Sequence, residues 1–408
     1  MAACGAPQGG DTPPQPAQAL STAEAFHHSI IVLDSHLDTP AYFHTAGYNF
    51  SERGDFDVDG THVDLPRMKE GGLDGGFWVI YTPQGPLDEA SYVAARNMAL
   101  LRQMSIREMA ARYHEDVGLA FTADDAERLH GEGRKIVYQS MENAYPLGTD
   151  VSMLETFYIG GLRMVAPAHF RNSQFADSAT DVSPLHGGLS TLGEELVREA
   201  NRLGMILDGS HASDDAVRDM LALSTTPLIL SHSGPQGVYN HARNLPDALL
   251  LDIAAGGGVI QVNAFGAYLE QLTPSAERTA AIAELQARLG DPSAMDADTL
   301  AEYRQAMREL GREFPAPRST FEKFMEHLLY TLELVGPDHV GIGADWDGGG
   351  GVDGLKDVTY LPRITEALLD AGYSEDDIRK IWGANMIRLL TEVEAARTSA
   401  LVSPDVLN

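Results

Sequence analysis

The chain has 408 residues, a formal charge of −30 at neutral pH and a single cysteine. That charge argues against nucleic acid and anionic membrane surfaces as partners, and one cysteine excludes both an internal disulfide and a cysteine-built zinc site. No apolar run reaches the roughly 18 residues of a membrane-spanning helix, and the length suits one α/β barrel with a large core.

At the start, Met1-Ala2-Ala3-Cys4-Gly5 leads into a Pro/Gly/Gln-rich segment, Ala6 to Ala19, with the composition of a flexible tether. Small residues before a lone cysteine, followed by a tether, resemble the end of a bacterial lipoprotein signal. The expectation is a lipid-modified Cys4 and a place in the cell envelope or periplasm, with a lipid anchor as the sole membrane contact. The alternative is a cytoplasmic protein with a disordered tail and a chance cysteine.

The first strand is expected at Ile30 to Asp38, an apolar run that becomes polar and stops at Pro40. Side chains alternate along a strand, so His36 and Asp38 share a face and can grip one metal ion. Alone, such a pair is more often just hydrogen bonded. Further strand-like runs are Phe77–Tyr81, Lys135–Tyr138, Leu162–Val165, Met205–Leu207, Pro227–Leu230, Val259–Val262 and His339–Ile342. Helical periodicity fills most of the gaps, as at Leu192 to Leu203 and Ala212 to Leu223. Eight alternating units predict an α/β fold, the (β/α)8 TIM barrel.

The connection between the seventh and eighth strands is long. Ile282, Leu285 and Leu289 share one helical spacing, and Leu300, Tyr303, Met307 and Leu310 another, with a turn at Gly290-Asp291-Pro292. This predicts a helical-hairpin insertion at about 268–316, then the barrel's own helix from Thr320 to Leu334. The final helical stretch, Ser374 to Ala396, opens with a capping serine followed by acids. Ile378, Ile381, Trp382 and Ile387 are expected to pack on the barrel. Residues 1–25 read as tether, 26–398 as one barrel domain and 399–408 as a tail.

In such a barrel the chemistry lies at the C-terminal ends of the strands. There the sequence puts His36 and Asp38, Glu142, His169, His211, His232 and Asp345. Six of the eight strands thus deliver a histidine or an acid to one rim, a set hard to explain without metal. His36, His211 and His232 with Asp38 and Glu142 exceed what one tetrahedral zinc needs. A glutamate can bridge two ions, the arrangement that activates a shared water for hydrolysis. Asp345 is then the acid–base group beside that water. Asp55, Asp57, Asp59 and Gly60 begin like a calcium loop, but its twelfth position is Pro66 rather than an acid. A second His-x-Asp, His62-Val63-Asp64, is expected away from the rim.

These motifs together resemble the membrane (renal) dipeptidase family, zinc peptidases of the amidohydrolase-like barrels. The resemblance runs from about Ser29 to Ala396. It rests on Asp34-Ser35-His36-Leu37-Asp38, on Val63-Asp64-Leu65-Pro66-Arg67 through Gly71-Gly72 to Phe77-Trp78, and on Arg163 to His169 with Asn172 and Ala176-Asp177. It continues through Leu189-Ser190 to Asn201-Arg202-Leu203-Gly204, Ser231-His232-Ser233, Arg243-Asn244-Leu245-Pro246-Asp247 and Gly343 to Gly348. It implies two zinc ions, one on His36 and Asp38 and the other on His211 and His232, with Glu142 bridging and Asp345 moving the proton. It further implies that His169 contacts the substrate carbonyl region and that Arg243 holds the carboxylate of a dipeptide. A homodimer is compatible with it. Asn143-Ala144 replaces the glycine pair that vertebrate members carry, and their internal disulfide is impossible here. The rival readings are another metal-dependent amidohydrolase, acting on N-acyl amino acids, and a binding protein that kept the fold.

Overall fold

Among the described residues, ten strands form one parallel sheet: β1 (Leu33–Leu37), β2 (Gly75–Tyr81), β3 (Val117–Leu119), β4 (Lys135–Glu142), β5 (Leu162–Val165), β6 (Ile206–Asp208), β7 (Leu228–Pro235), β8 (Asn244–Leu245), β9 (Val259–Val262) and β10 (Val340–Ile342). The computed structural model describes residues 20–45, 47–290 and 297–398. Cys4, the tether Ala6 to Ala19, Asp291 and Pro292 of the expected turn, the side chain of Leu300 and the tail 399–408 lie outside the described residues. Eight strands follow one another in the order β1-β2-β4-β5-β6-β7-β9-β10. Just past β10, Trp346 forms a parallel bridge to Leu37, and Asp38 N–H donates to Trp346 O at 2.8 Å. This is the expected barrel, nearly closed. β3 adds outside β4 and β8 outside β7. Neither was expected, because Val117-Gly118-Leu119 is broken by a glycine and Asn244-Leu245 is no apolar run.

Two strands are longer than their apolar runs, for different reasons. β2 begins at Gly75-Gly76, ahead of the apolar run Phe77–Tyr81. A Cβ on Gly76 would lie 1.7 Å from Asp34 O, and one on Gly75 would lie 1.9 Å from Ile136 O. The glycines let β1 and β4 close on β2 from both sides. β4 continues through Gln139-Ser140 to Glu142. Those polar residues ended the apolar run, yet all of β4 is buried. Gln139 is accommodated because Gln103 Nε2 donates to its Oε1 at 3.1 Å. Glu142 therefore stands on the strand itself.

The helices follow their caps. Ser190, Ser213 and Thr320 each accept a backbone N–H three residues on, starting the helices Thr191–Leu203, Asp214–Leu223 and Phe321–Val335. Between β9 and β10 lie the helices Ala276–Leu289 and Ala297–Glu313. Arg288 reaches Glu302 and Arg278 reaches Phe314 O, so the pair runs antiparallel. At the other end of the barrel, Met386, Leu389, Leu390 and Val393 of the helix Asn385–Ala395 pack on Leu33, Ile136, Ile206, Ile229 and Val259. These are residues at or near the strand starts. The last helix closes the floor of the barrel and leaves the C-terminal rim open for chemistry.

Candidate metal centre

His36 lies on β1, but Asp38 does not. The register shifts between Asp34 and Leu37, the strand ends, and Asp38 (φ −80°, ψ 4°) opens a short 3-10 turn. The simple alternation expected from sequence is thus replaced by a bulge and a turn. The two side chains still converge, with His36 Nε2 3.3 Å from Asp38 Oδ2.

Glu142, the last residue of β4, is the hub. Its Oε1 lies 3.6 Å from His36 Nε2, 3.5 Å from His169 Nε2, 3.1 Å from His211 Nε2 and 3.4 Å from His232 Nε2. The Nε2 atoms of His211 and His232 are 2.8 Å apart. Asp345 follows β10, and its carboxylate falls within 4.8 Å of ligand atoms of both His36 and Asp38. His211 (φ 66°) and Asp345 (φ 63°) both have left-handed backbones, as does Asp347 (φ 66°). That conformation is costly for residues with a side chain and concentrates at functional sites. Gly348 leaves the room these acids need, since a Cβ there would lie 2.1 Å from Asp38 Oδ2 and 2.2 Å from Asp345 Oδ1. His169 sits below a loop in which Asp177 accepts the backbone N–H groups of Leu185, His186, Gly187 and Gly188. Ser178 Oγ donates to His169 O.

Burial works against every charge here. It pushes Asp345 up, and the Asp38 and Glu142 carboxylates push the same way against His36 and Arg243, so Asp345 stays well above the usual carboxyl range. Burial also raises Glu142, but the surrounding imidazoles outweigh it and hold that carboxyl well below its usual value. Burial draws His211 and His232 down, toward the neutral form that ligates metal. His36 goes the other way. Burial opposes its protonation, but Glu142 and Asp38 together hold it well above its usual value. The acids call for a positive charge at this spot, which a cation can supply.

The donor set fits a metal. Three overlapping groups have ligand atoms within 4.8 Å of one another: His36, Glu142 and His232; Glu142, His169 and His211; and His36, Asp38 and Asp345. His36 Nε2 has no well-directed hydrogen bond despite its two carboxylate neighbours. Imidazole nitrogens and carboxylate oxygens are the donors of hydrolytic zinc and manganese sites. His169, expected only near the substrate, is as close to Glu142 as the expected ligands are.

The rim opens into a cavity of about 280 Å³. Besides the residues above, Ala41, Tyr81, Phe170, Phe265 and Tyr268 line it. These aromatic walls were not singled out in the sequence, where they follow no shared motif. Arg243 is buried behind the wall. Its Nη2 donates to His232 O at 2.9 Å, its guanidinium lies 5.3 Å from the Tyr268 ring centroid, and its Nε has no partner. A larger groove of about 960 Å³ lies far from this rim, between the helix Glu89–Arg112 and residues 117–134. It gathers no comparable set: its Arg107, Arg128 and Arg134 already bond Gly160 O, Asp125 and Glu132.

His62 is not away from the rim, as its place before β2 suggested. Its N–H donates to Asp347 Oδ1 at 2.6 Å, and its Nδ1 accepts from Asp347 N–H at 2.7 Å. It braces the segment that carries Asp345, because the chain from β1 to β2 loops back over the rim. Asp208, the last residue of β6, was also missed; an acid directly after Ile206-Leu207 carried the same signal as Glu142.

The sequence profile of the membrane dipeptidase family, peptidase family M19, matches residues 20–403. Dipeptidase tcpJ of Claviceps purpurea (strain 20.1) is 32% identical over 343 residues, covering 83% of this chain and 71% of that protein. The crystal structure of the probable dipeptidase PvdM from Pseudomonas aeruginosa superposes with a TM-score of 0.78 at 33% identity, over 92% of this chain and 98% of that one. A metallo peptidase from Rhodobacter sphaeroides, liganded with a phosphinate mimic of the dipeptide L-Ala-D-Ala, gives 0.71 at 27% identity over 89% of this chain and 99% of that one.

Proposed function

We propose a reaction from one premise: this chain belongs to the membrane dipeptidase family, peptidase family M19. It is accordingly a metallo-dipeptidase. The finer reading is a binuclear zinc enzyme, and the observation that carries it is the single Glu142 oxygen facing four imidazole nitrogens beside Asp38 and Asp345.

In this reading His36 and Asp38 hold one ion, His211 and His232 the other, and Glu142 both. Zinc held there would supply an activated water as nucleophile and polarise the scissile carbonyl. Asp345 takes the proton of the attacking water and passes it to the leaving amine. His169 orients the carbonyl from the cavity wall. Arg243 holds the substrate carboxylate through its guanidinium, whose Nε is buried without a partner. An anchor on the substrate carboxylate limits the substrate to one residue past the scissile bond, and the cavity of about 280 Å³ suits a dipeptide. The ligand of the Rhodobacter sphaeroides peptidase points to small residues, with a D-residue accepted in second place.

Comparative turnover tests this. L-Ala-D-Ala and L-Ala-L-Ala are expected to be cleaved, and the matching dipeptide amides and N-acetyl amino acids to be poor substrates. Faster turnover of the N-acyl amino acids would replace the dipeptidase reading with the amidohydrolase one. We also propose, from Cys4 and the Pro/Gly/Gln-rich stretch after it, lipid attachment at Cys4 and a place in the cell envelope. Mass spectrometry of the native N-terminal peptide reads this directly, and an unmodified Cys4 in a soluble cytoplasmic fraction would overturn it.

A further inference from the structure

His232 can serve a metal ion only if its Nε2 turns a lone pair into the site. The surrounding hydrogen bonds determine whether it does. Asp208 Oδ1 accepts the N–H groups of Ser210 and Ser231, each at 2.9 Å. Its Oδ2 accepts Ser231 Oγ–H at 2.5 Å. A carboxylate met by three donors is the acceptor throughout, so the one hydroxyl proton of Ser231 is spent on it. Ser231 Oγ also lies 2.8 Å from His232 Nδ1. With its proton committed, that oxygen can only accept. The proton between the two must therefore sit on His232 Nδ1, which leaves the Nε2 lone pair facing Glu142 and His211.

We infer that Asp208 and Ser231 are positioning residues, a relay that sets the tautomer and ring orientation of His232 for metal binding. The inference rests on the metal reading above. Neither residue lines the cavity; Asp208 is buried on β6 and Ser231 on β7. The relay does not extend to His211. His211, on the other side of Glu142, has its Nδ1 buried with no partner. Such outer partners of a ligating histidine are generally carboxylates or carbonyls in direct contact. Here a serine hydroxyl is interposed, so the chain can be cut or reversed at separate points.

Asp208→Asn reverses it. The amide oxygen keeps the two backbone N–H groups, the amide nitrogen donates to Ser231 Oγ, and the hydroxyl proton turns to His232 Nδ1. The imidazole proton then moves to Nε2, the same kind of tautomer error that an Asp→Asn change causes in a serine protease triad. Ser231→Ala cuts the relay without reversing it. The zinc-loaded wild type and both variants are equilibrated with graded chelator, and retained zinc and the thermal midpoint of the metal-saturated protein are read together. Asp208→Asn is expected to release one of its two ions at about 10–100-fold lower chelator strength. Ser231→Ala should do the same by a smaller factor, with the other ion held as in the wild type. Wild-type retention in both variants overturns the inference, and so does loss of both ions in step with a lowered midpoint. If Asp208→Asn does not fold, Ser231→Ala decides by the same criteria. A wild type that retains no zinc removes the metal reading, and the relay with it.

Discussion

The two ends of the barrel use the same strands and are buried to similar degrees, but burial acts on them in opposite directions. At the floor, Leu33, Ile136, Ile206, Ile229 and Val259 meet the apolar face of the last helix. Removing that surface from water contributes about 25 cal/mol per Å². At the rim, His36, Glu142, His211, His232 and Asp345 are each less than one-tenth exposed. Two like charges about 4 Å apart repel by about 4 kcal/mol at the effective dielectric of a protein, and Asp38 and Asp345 are within 4.8 Å. The floor is an arrangement that folding favours by itself. The rim is one that folding tolerates, with the stability supplied elsewhere in the barrel and the balance of charge left to a cation.

Substitutions at the two ends should therefore separate function from stability. The largest effect is expected for Glu142→Ala, which removes the oxygen facing four imidazoles. Metal analysis should show loss of both ions, and turnover should fall to background. Asp345→Asn should keep the metal and lower kcat by ~10²–10⁴-fold, the scale of lost general acid–base catalysis. A near-normal kcat with metal retained would remove its proton-transfer role. Leu389→Ala, at the floor, should invert this pattern. It should cost about 2–5 kcal/mol in urea unfolding with metal content and kcat unchanged. If it empties the rim of metal, the two ends are coupled and the contrast fails.

Arg243→Ala should lower kcat/KM on dipeptides by the equivalent of roughly 1.5–3 kcal/mol, with little change on dipeptide amides. An equal loss on both would assign Arg243 to supporting His232 O rather than binding substrate. The smallest effect is a pH dependence away from the rim. His27 is enclosed by Thr365 Oγ1 and Gly71 O, and burial lowers its pKa to about 4 from 6.5. Its folded value lies below its unfolded one. Its contribution is therefore complete above about pH 6.5 and is lost as pH falls toward 4. At pH 6 the loss is about 1 kcal/mol. Thermal midpoints of the wild type should fall more steeply across that window than those of His27→Gln.

The rim was legible in the sequence because barrel strands end where polarity begins. Glu142, His211 and His232 each follow within a few residues of a run of β-favouring residues, so strand position alone brought them together. The geometry between them was less legible. The bulge before Asp38 and the left-handed turns at His211 and Asp345 depend on partners distant in sequence, such as Trp346 O for Asp38. The aromatic walls have no common spacing: Tyr81 ends β2, Phe170 follows His169, and Phe265 and Tyr268 lie in one segment after β9. Asp208 was legible too, as an acid directly after the run Met205–Leu207. The packing of the final helical stretch was legible in outline, since Ile378, Ile381 and Trp382 are buried as expected and Ile387 packs against the floor.

The central claim is that the rim works as a pair of cation sites, and zinc titration of the metal-free protein tests it most directly. Activity on L-Ala-D-Ala should be negligible without metal and reach its full value at about two equivalents of zinc per chain, with Glu142→Ala inactive throughout. Full activity at one equivalent, or in the metal-free protein, would contradict it.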